Sequence, residues 1–104
     1  MRILHITDRL SCRGGADLHL LDNIDALGRD HEVHLAAAVD DGTVVQRPPF
    51  TLVSGLDART RQTVDLAPLW KTFQPDVVHL HNIMNPAVLD WASDRPSVMT
   101  LHDH

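Results

Sequence analysis

The chain has 104 residues, of which 43% are hydrophobic and 22% charged, and its formal net charge is −5 at pH 7. This length supports one domain, over residues 1–104, with the apolar content of a globular protein rather than a disordered one. The acidic balance argues against a nucleic-acid partner, and a single cysteine, Cys12, excludes an intrachain disulfide. No apolar run has the length of a transmembrane segment or a signal peptide, so we predict a cytoplasmic protein.

The first half of the chain predicts a strand, a glycine turn, a helix and a second strand. The apolar run Arg2–Thr7 is typical of a buried parallel strand. After the glycines at 14 and 15, apolar residues recur at helical spacing over Ala16–Leu27, and Gly28 marks the helix stop. His31–Val39 is the next predicted strand, which completes a strand–helix–strand crossover unit.

The second half continues this alternation of strands and helices. Thr43–Gln46 is predicted to be a short strand that returns as a hairpin, and Phe50–Val53 to be the third main strand. A helix is predicted to begin near Asp65, its N-cap, and to end at Pro75. The remaining predicted elements are a strand over Asp76–His81, a helix over Pro86–Ala92 and a strand over Ser97–Leu101. The pattern predicts an α/β fold: a Rossmann-like, doubly wound, mostly parallel sheet of about five strands with helices on both faces.

The glycine turn is a candidate anion site. Gly14, Gly15 and Ala16 lie where the first strand leads into the first helix, and N–H groups at a helix start attract phosphate. The turn lacks the glycine spacing of dinucleotide-binding proteins and the lysine of nucleotide triphosphatases. Two readings therefore stay open: a phosphate-binding turn, or a tight turn that needs glycine only for its backbone conformation.

Histidines collect at the predicted carboxyl ends of the strands. His79 and His81 alternate along one strand, so their side chains share a face, and the chain ends in a second such pair around Asp103. His5 lies near the end of the first strand, whereas His34, at the other end of its strand, is expected on the surface. Such pairs suggest a metal hydrolase, but metal sites of this kind are usually completed by later strands, so we expect no metal.

Five segments of the chain together resemble one family. They are the opening strand R-I-L-H-I-T, the glycine turn Gly14–Asp17, the passage Ala26–Val33, the strand Pro75–His81 and the final strand Pro96–Asp103. In this order and spacing they resemble the N-terminal, acceptor-side domain of the family 4 glycosyltransferases, which have the GT-B fold. The resemblance spans nearly the whole chain.

The resemblance implies both an activity and site residues. Enzymes of this family transfer a sugar from a nucleotide-sugar donor to a sugar or lipid acceptor, with retention of configuration and without a catalytic metal or other cofactor. Carried over to this chain, it assigns Gly14, Gly15 and Ala16 to the donor phosphates, His102 and Asp103 to the reaction centre, and His81 and Asn82 to the acceptor side.

Family members have further segments after the His-Asp motif and a second domain that holds the nucleotide. We therefore expect residues 1–104 to be the N-terminal part of a retaining glycosyltransferase, inactive as an isolated chain. Two alternatives stay open. The first is a non-catalytic binding or assembly module, which would form a homodimer through an exposed sheet edge or join a separate donor-binding domain. The second is a metal-dependent hydrolase built on the histidines. The sequence does not identify the sugar, nucleotide or acceptor, nor the direction of segment 43–56.

Overall fold

A computed structural model describes residues 1–100 of the chain. Its elements are, in chain order, β1 (Arg2–Thr7), β2 (Arg9–Leu10), α1 (Gly15–Leu27), β3 (Glu32–Ala37), β4 (Val39–Asp40), β5 (Phe50–Leu52), α2 (Ala67–Phe73), β6 (Val77–His81), α3 (Pro86–Ser93) and β7 (Ser97–Thr100). Within these residues, no helix combines the length and the apolar character needed to cross a bilayer.

Five of the strands form one sheet in the order β5-β3-β1-β6-β7, and every neighbouring pair is parallel. The chain starts at the centre of the sheet, moves outward through β3 to β5, and then returns to the other side of β1. The strand order therefore reverses between β1 and β6. Open α/β sheets bind ligands outside the carboxyl ends of their strands at such a reversal, so this topology marks where a site should lie.

Different helices cover the two faces of the sheet, because side chains alternate between faces along each strand. Leu20 of α1 belongs to one buried apolar cluster with Leu35 of β3. Leu69 of α2 and Val88 of α3 belong to another, with Leu4 of β1. The predicted Rossmann-like α/β class, with helices on both faces of a parallel sheet, is confirmed.

The predicted hairpin strand over Thr43–Gln46 is wrong. These residues form no strand, and a separate pair of short parallel strands, β2 and β4, forms instead. The hydroxyl of Thr43 donates to Asp41 Oδ1 at 2.6 Å and accepts the N–H of Cys12 at 2.9 Å. Side-chain hydrogen bonds therefore hold this segment in place of a strand ladder. Segment 43–56 returns to the sheet as β5, which runs parallel to β3 at the edge.

The start of α2 differs slightly from its prediction. Leu66, not Asp65, is the N-cap, and the Asp65 carboxylate instead accepts the N–H of Ala67 at 3.2 Å. Pro68 lies in the first turn, where proline costs no helical hydrogen bond. Trp70 of α2 packs at the edge of the core, with its ring centroid 5.6 Å from that of Trp91 of α3 in an edge-to-face arrangement.

Candidate functional site

The carboxyl ends of β1, β6 and β7 lie side by side. Thr7 is the register partner of His81, and His81 is the partner of Thr100. His81 is buried at 2% exposure, and Asn82 follows it with a left-handed φ of 55°. Asparagine adopts this conformation more readily than most residues, and the Asn82 N–H donates to the carbonyl of Thr100. The two residues predicted on the acceptor side therefore both lie at this edge.

Three histidines converge on one face of the sheet where the strand order reverses. His5 is the register partner of His79, and His79 and His81 alternate along β6. The Nδ1 atom of His5 lies 3.1 Å from the Nε2 atom of His81, and the ring centroids of His79 and His81 are 3.8 Å apart. His79 also hydrogen-bonds the hydroxyl of Thr100 at 2.7 Å.

Burial disfavours the charged form of two of these histidines, His5 and His79. Burial, together with repulsion from His79, lowers the pKa of His5 to about 4. Burial also lowers the pKa of His79, and the charge of His19 on α1 adds to the effect. Because α1 begins directly after the carboxyl end of β1, the glycine turn and His81 lie toward the same edge of the sheet.

The glycine turn is built around a buried carboxylate. Asp17 is 7% exposed and its carboxylate accepts the N–H of Gly14 at 3.0 Å and a bond from the Arg9 guanidinium at 2.8 Å. Gly14 caps α1, so Asp17 supplies one half of a capping box at the helix start. A Cβ on Gly14 would crowd Asp17 at 3.2 Å, whereas a Cβ on Gly15 would meet no atom within 4 Å.

The three residues predicted to bind phosphate differ in whether their backbone N–H groups are available. The Gly14 N–H is already bonded to Asp17, which favours the turn reading for Gly14. Gly15 and Ala16 lie in the first turn of α1, where backbone N–H groups have no partner within the helix, and Gly15 is exposed. Gly15 and Ala16 therefore fit an anion better than Gly14 does.

The nearby cations are paired with carboxylates. Arg9 bonds to Asp17, and Arg13 lies 3.6 Å from Asp41. Hydrogen bonds from the hydroxyls of Ser11 and Thr43 lower the pKa of Asp41 to about 2, so this carboxylate is charged at neutral pH. Each arginine beside the glycine turn therefore already has a negative partner.

Asn85 is a buried polar residue that the sequence interpretation did not single out. It is fully buried, and its side-chain oxygen accepts the N–H groups of Gln62 and Ala87 while its amide donates to the carbonyls of Gly55 and Gln62. The bond to Ala87 caps α3, and Asn85-Pro86 is a recognisable cap signature in the sequence. Asn85 thereby fastens loop 55–62 to the helix that follows the site.

The remaining sequence predictions concern His102, Asp103 and His34. The predicted catalytic residues His102 and Asp103 lie outside the described residues. His34, predicted on the surface, is half-buried, bonds the Thr51 hydroxyl at 2.8 Å and packs against the Phe73 ring. Its surface assignment is wrong because α2 covers that face of the sheet.

The fold and the edge define the class of the protein. A parallel sheet whose strand order reverses at its centre, with helices on both faces, is the architecture of a Rossmann-like α/β domain.

The comparisons with known proteins narrow this class to one family. The family model of Glycosyltransferase Family 4 matches residues 13–104, from the glycine turn through the histidine strand and β7 to His104. The chain belongs to this family, and the predicted resemblance is confirmed. A search of curated proteins finds no significant match, and neither does a search of solved structures. Family membership gives the domain a glycosyltransferase-type function.

Proposed function

We propose that this domain forms the acceptor-side wall of a retaining glycosyltransferase that uses a nucleotide-sugar donor. One observation carries the proposal: in a chain of Glycosyltransferase Family 4, the exposed Gly15 turn adjoins the carboxyl edge where the strand order reverses. The N–H groups of Gly15 and Ala16 face the donor phosphates, and His81 and Asn82 lie toward a sugar or lipid acceptor. The location is cytoplasmic, which suits a chain with one cysteine.

His102 and Asp103 complete this proposal as the pair at the reaction centre. They follow β7 directly in the sequence, and β7 runs toward the edge at which the other parallel strands end. An imidazole beside the donor phosphate stabilises the negative charge that develops there as the glycosidic bond to the donor breaks.

We propose further that the isolated chain binds the donor weakly. A diphosphate needs positive charge, yet Arg9 is paired with Asp17 and Arg13 with Asp41. The net charge of −5 also repels an anionic ligand. The charge that holds the nucleotide must then come from a second domain, and this chain alone does not catalyse transfer.

The direct test is an NMR titration of the 104-residue chain with UDP-glucose and with GDP-mannose. We expect dissociation constants near about 1 mM, equivalent to roughly −4 kcal/mol, with the largest shifts at the amides of Gly15 and Ala16. Shifts confined to other surfaces would refute the phosphate assignment. Micromolar binding by this chain alone would refute the claim that a second domain supplies the donor site.

A substitution at Gly15 separates binding from folding. Because open space surrounds this position, Gly15→Val should leave the fold intact while its side chain projects to where the phosphates bind. Ala26→Val, at an exposed position near the other end of α1, is the matched control. We expect Gly15→Val to abolish the donor-induced shifts and Ala26→Val to retain them. Equal effects of the two substitutions would contradict the proposal.

An assembly module is the second candidate, and the edge strand β7 favours it. In the described part of the chain, β7 has a neighbour on one side only, and its Val98 and Met99 side chains are 55% and 49% exposed. Uncovered strand edges pair readily with other chains, so a homodimer through β7 is the expected product. Light scattering over a concentration series tests it: Met99→Lys should shift the chain toward the monomer, whereas Met84→Lys, at an equally exposed loop position, should not. A wild-type chain that stays monomeric throughout would refute it.

A further inference from the structure

The histidine cluster of His5, His79 and His81 has a use that sugar transfer does not require. The ligand nitrogens of these three residues all lie within 4.8 Å of one another, on one face of the sheet between β1 and β6. We propose that this cluster binds one divalent transition-metal ion of the zinc class. A His-x-His pair in a metal site is usually completed by later strands, but here the first strand supplies the third imidazole.

The spacing of the nitrogens fits a single ion. Two nitrogens bound to zinc at about 2.0–2.1 Å in a tetrahedral arrangement lie about 3.3–3.4 Å apart. His5 Nδ1 and His81 Nε2 are separated by 3.1 Å, so an ion could replace their shared proton with a small outward movement of the rings. Since β1 and β6 are held in register by ladder hydrogen bonds, the rings are brought together before any ion binds.

The chemistry of the donor set favours zinc, copper or nickel over magnesium or calcium. All three donors are imidazole nitrogens, whereas the harder ions prefer oxygen ligands. His79 is only half-buried, which leaves one side of the cluster open to a water ligand, as in sites with three protein donors.

A hydrogen bond at the rim of the cluster also supports coordination. The Thr100 hydroxyl bonds His79 Nε2 at 2.7 Å and fixes the orientation of that ring, as hydrogen bonds to the outer nitrogen of a ligating histidine do in metal sites.

The test is metal binding by protein purified without a histidine tag. Cobalt titration should produce the visible absorption of a tetrahedral site, saturate at one ion per chain, and be reversed by zinc. Zinc should also raise the melting temperature, because binding to the folded state alone stabilises it. Absence of stoichiometric metal after dialysis against micromolar zinc would overturn the proposal.

Substitutions identify the residues that hold the ion. His79→Ala should weaken cobalt affinity about tenfold or more, while His34→Ala should leave it unchanged. His34 is a close match, since it too is half-buried and bonds a threonine hydroxyl from the neighbouring strand, at 2.8 Å. Circular dichroism checks that both variants fold. Equal loss in the two variants, or loss of binding in a His102→Ala/His104→Ala chain with His79 intact, would overturn the assignment. Because donor binding is measured separately at Gly15, failure here leaves the transferase proposal standing.

Discussion

Replacement of Asn85 by alanine should be among the most destabilising single changes in this chain. Its side chain makes four hydrogen bonds from a fully buried position, to the backbone of Gly55, Gln62 and Ala87. The substitution removes all four bonds together. Loop 55–62 is then no longer fastened to α3.

The expected cost follows from the individual contacts. Loss of the helix cap costs about 1 kcal/mol. The buried carbonyl of Gly55 loses its partner, which costs about 1–3 kcal/mol, and the two bonds to Gln62 contribute roughly 0.5 kcal/mol or more each. Asn85→Ala should therefore lower the free energy of unfolding by about 3–5 kcal/mol, against the total of about 5–15 kcal/mol typical of a domain.

Urea denaturation followed by tryptophan fluorescence measures this change, since Trp70 and Trp91 pack against each other between α2 and α3. Asn85→Ser is the matched comparison: serine keeps an oxygen that can cap α3 but donates to neither carbonyl as the amide does. We expect its cost to be smaller than that of alanine by about 1 kcal/mol, the value of the cap. A cost for Asn85→Ala below about 0.5 kcal/mol, with an unchanged denaturant slope, would refute the argument.

Two further predictions concern charged groups. The folded-state pKa of Asp41 is lowered from 3.8 to about 2, so its contribution to stability is complete above about pH 4 and is lost as the pH falls toward 2. The urea midpoint of Asp41→Asn should therefore fall less steeply over that pH range than the midpoint of the wild type. Parallel curves would count against the hydrogen bonds from Ser11 and Thr43. The Arg95 guanidinium lies 4.2 Å from the Trp91 ring centroid and 4.8 Å from the Trp70 ring centroid. Arg95→Ala should therefore lower the free energy of unfolding, measured by urea denaturation, by about 1–2 kcal/mol, and Arg95→Lys should recover part of this loss. An alanine variant as stable as the wild type would exclude both contacts.

Most of the fold could be predicted because each element carries its own local pattern. The apolar run Arg2–Thr7 becomes the central strand, buried on both faces, and apolar residues at helical spacing become α1, which ends at Gly28 as predicted. Where the local pattern was weak, the prediction failed. Thr43–Gln46 has strand-forming residues, but the hydroxyl of Thr43 bonds Asp41 and Cys12, and these side-chain bonds displace a ladder.

The candidate site was only partly predictable. The glycine turn and the alternating His79 and His81 are visible in the sequence because each is a local spacing. Asp17 belongs to the glycine-turn segment Gly14–Asp17, but its pairing with Arg9 depends on how the turn folds back. Asn85 escaped notice because its partners at Gly55 and Gln62 are 30 and 23 residues away.

The amino-acid order alone determined the α/β class, the parallel strands, the glycine turn at the start of α1 and the family to which the chain belongs. Tertiary structure decided which of these features meet. His5 and His81 are 76 residues apart, and they come within 3.1 Å only because β6 returns across the sheet to pair with β1. A local sequence pattern indicates the conformation of residues that are close together in the chain. Contacts between distant residues depend on the order of the strands, which is set by the burial of both faces of the sheet. The histidine cluster is therefore a property of the topology and not of any motif.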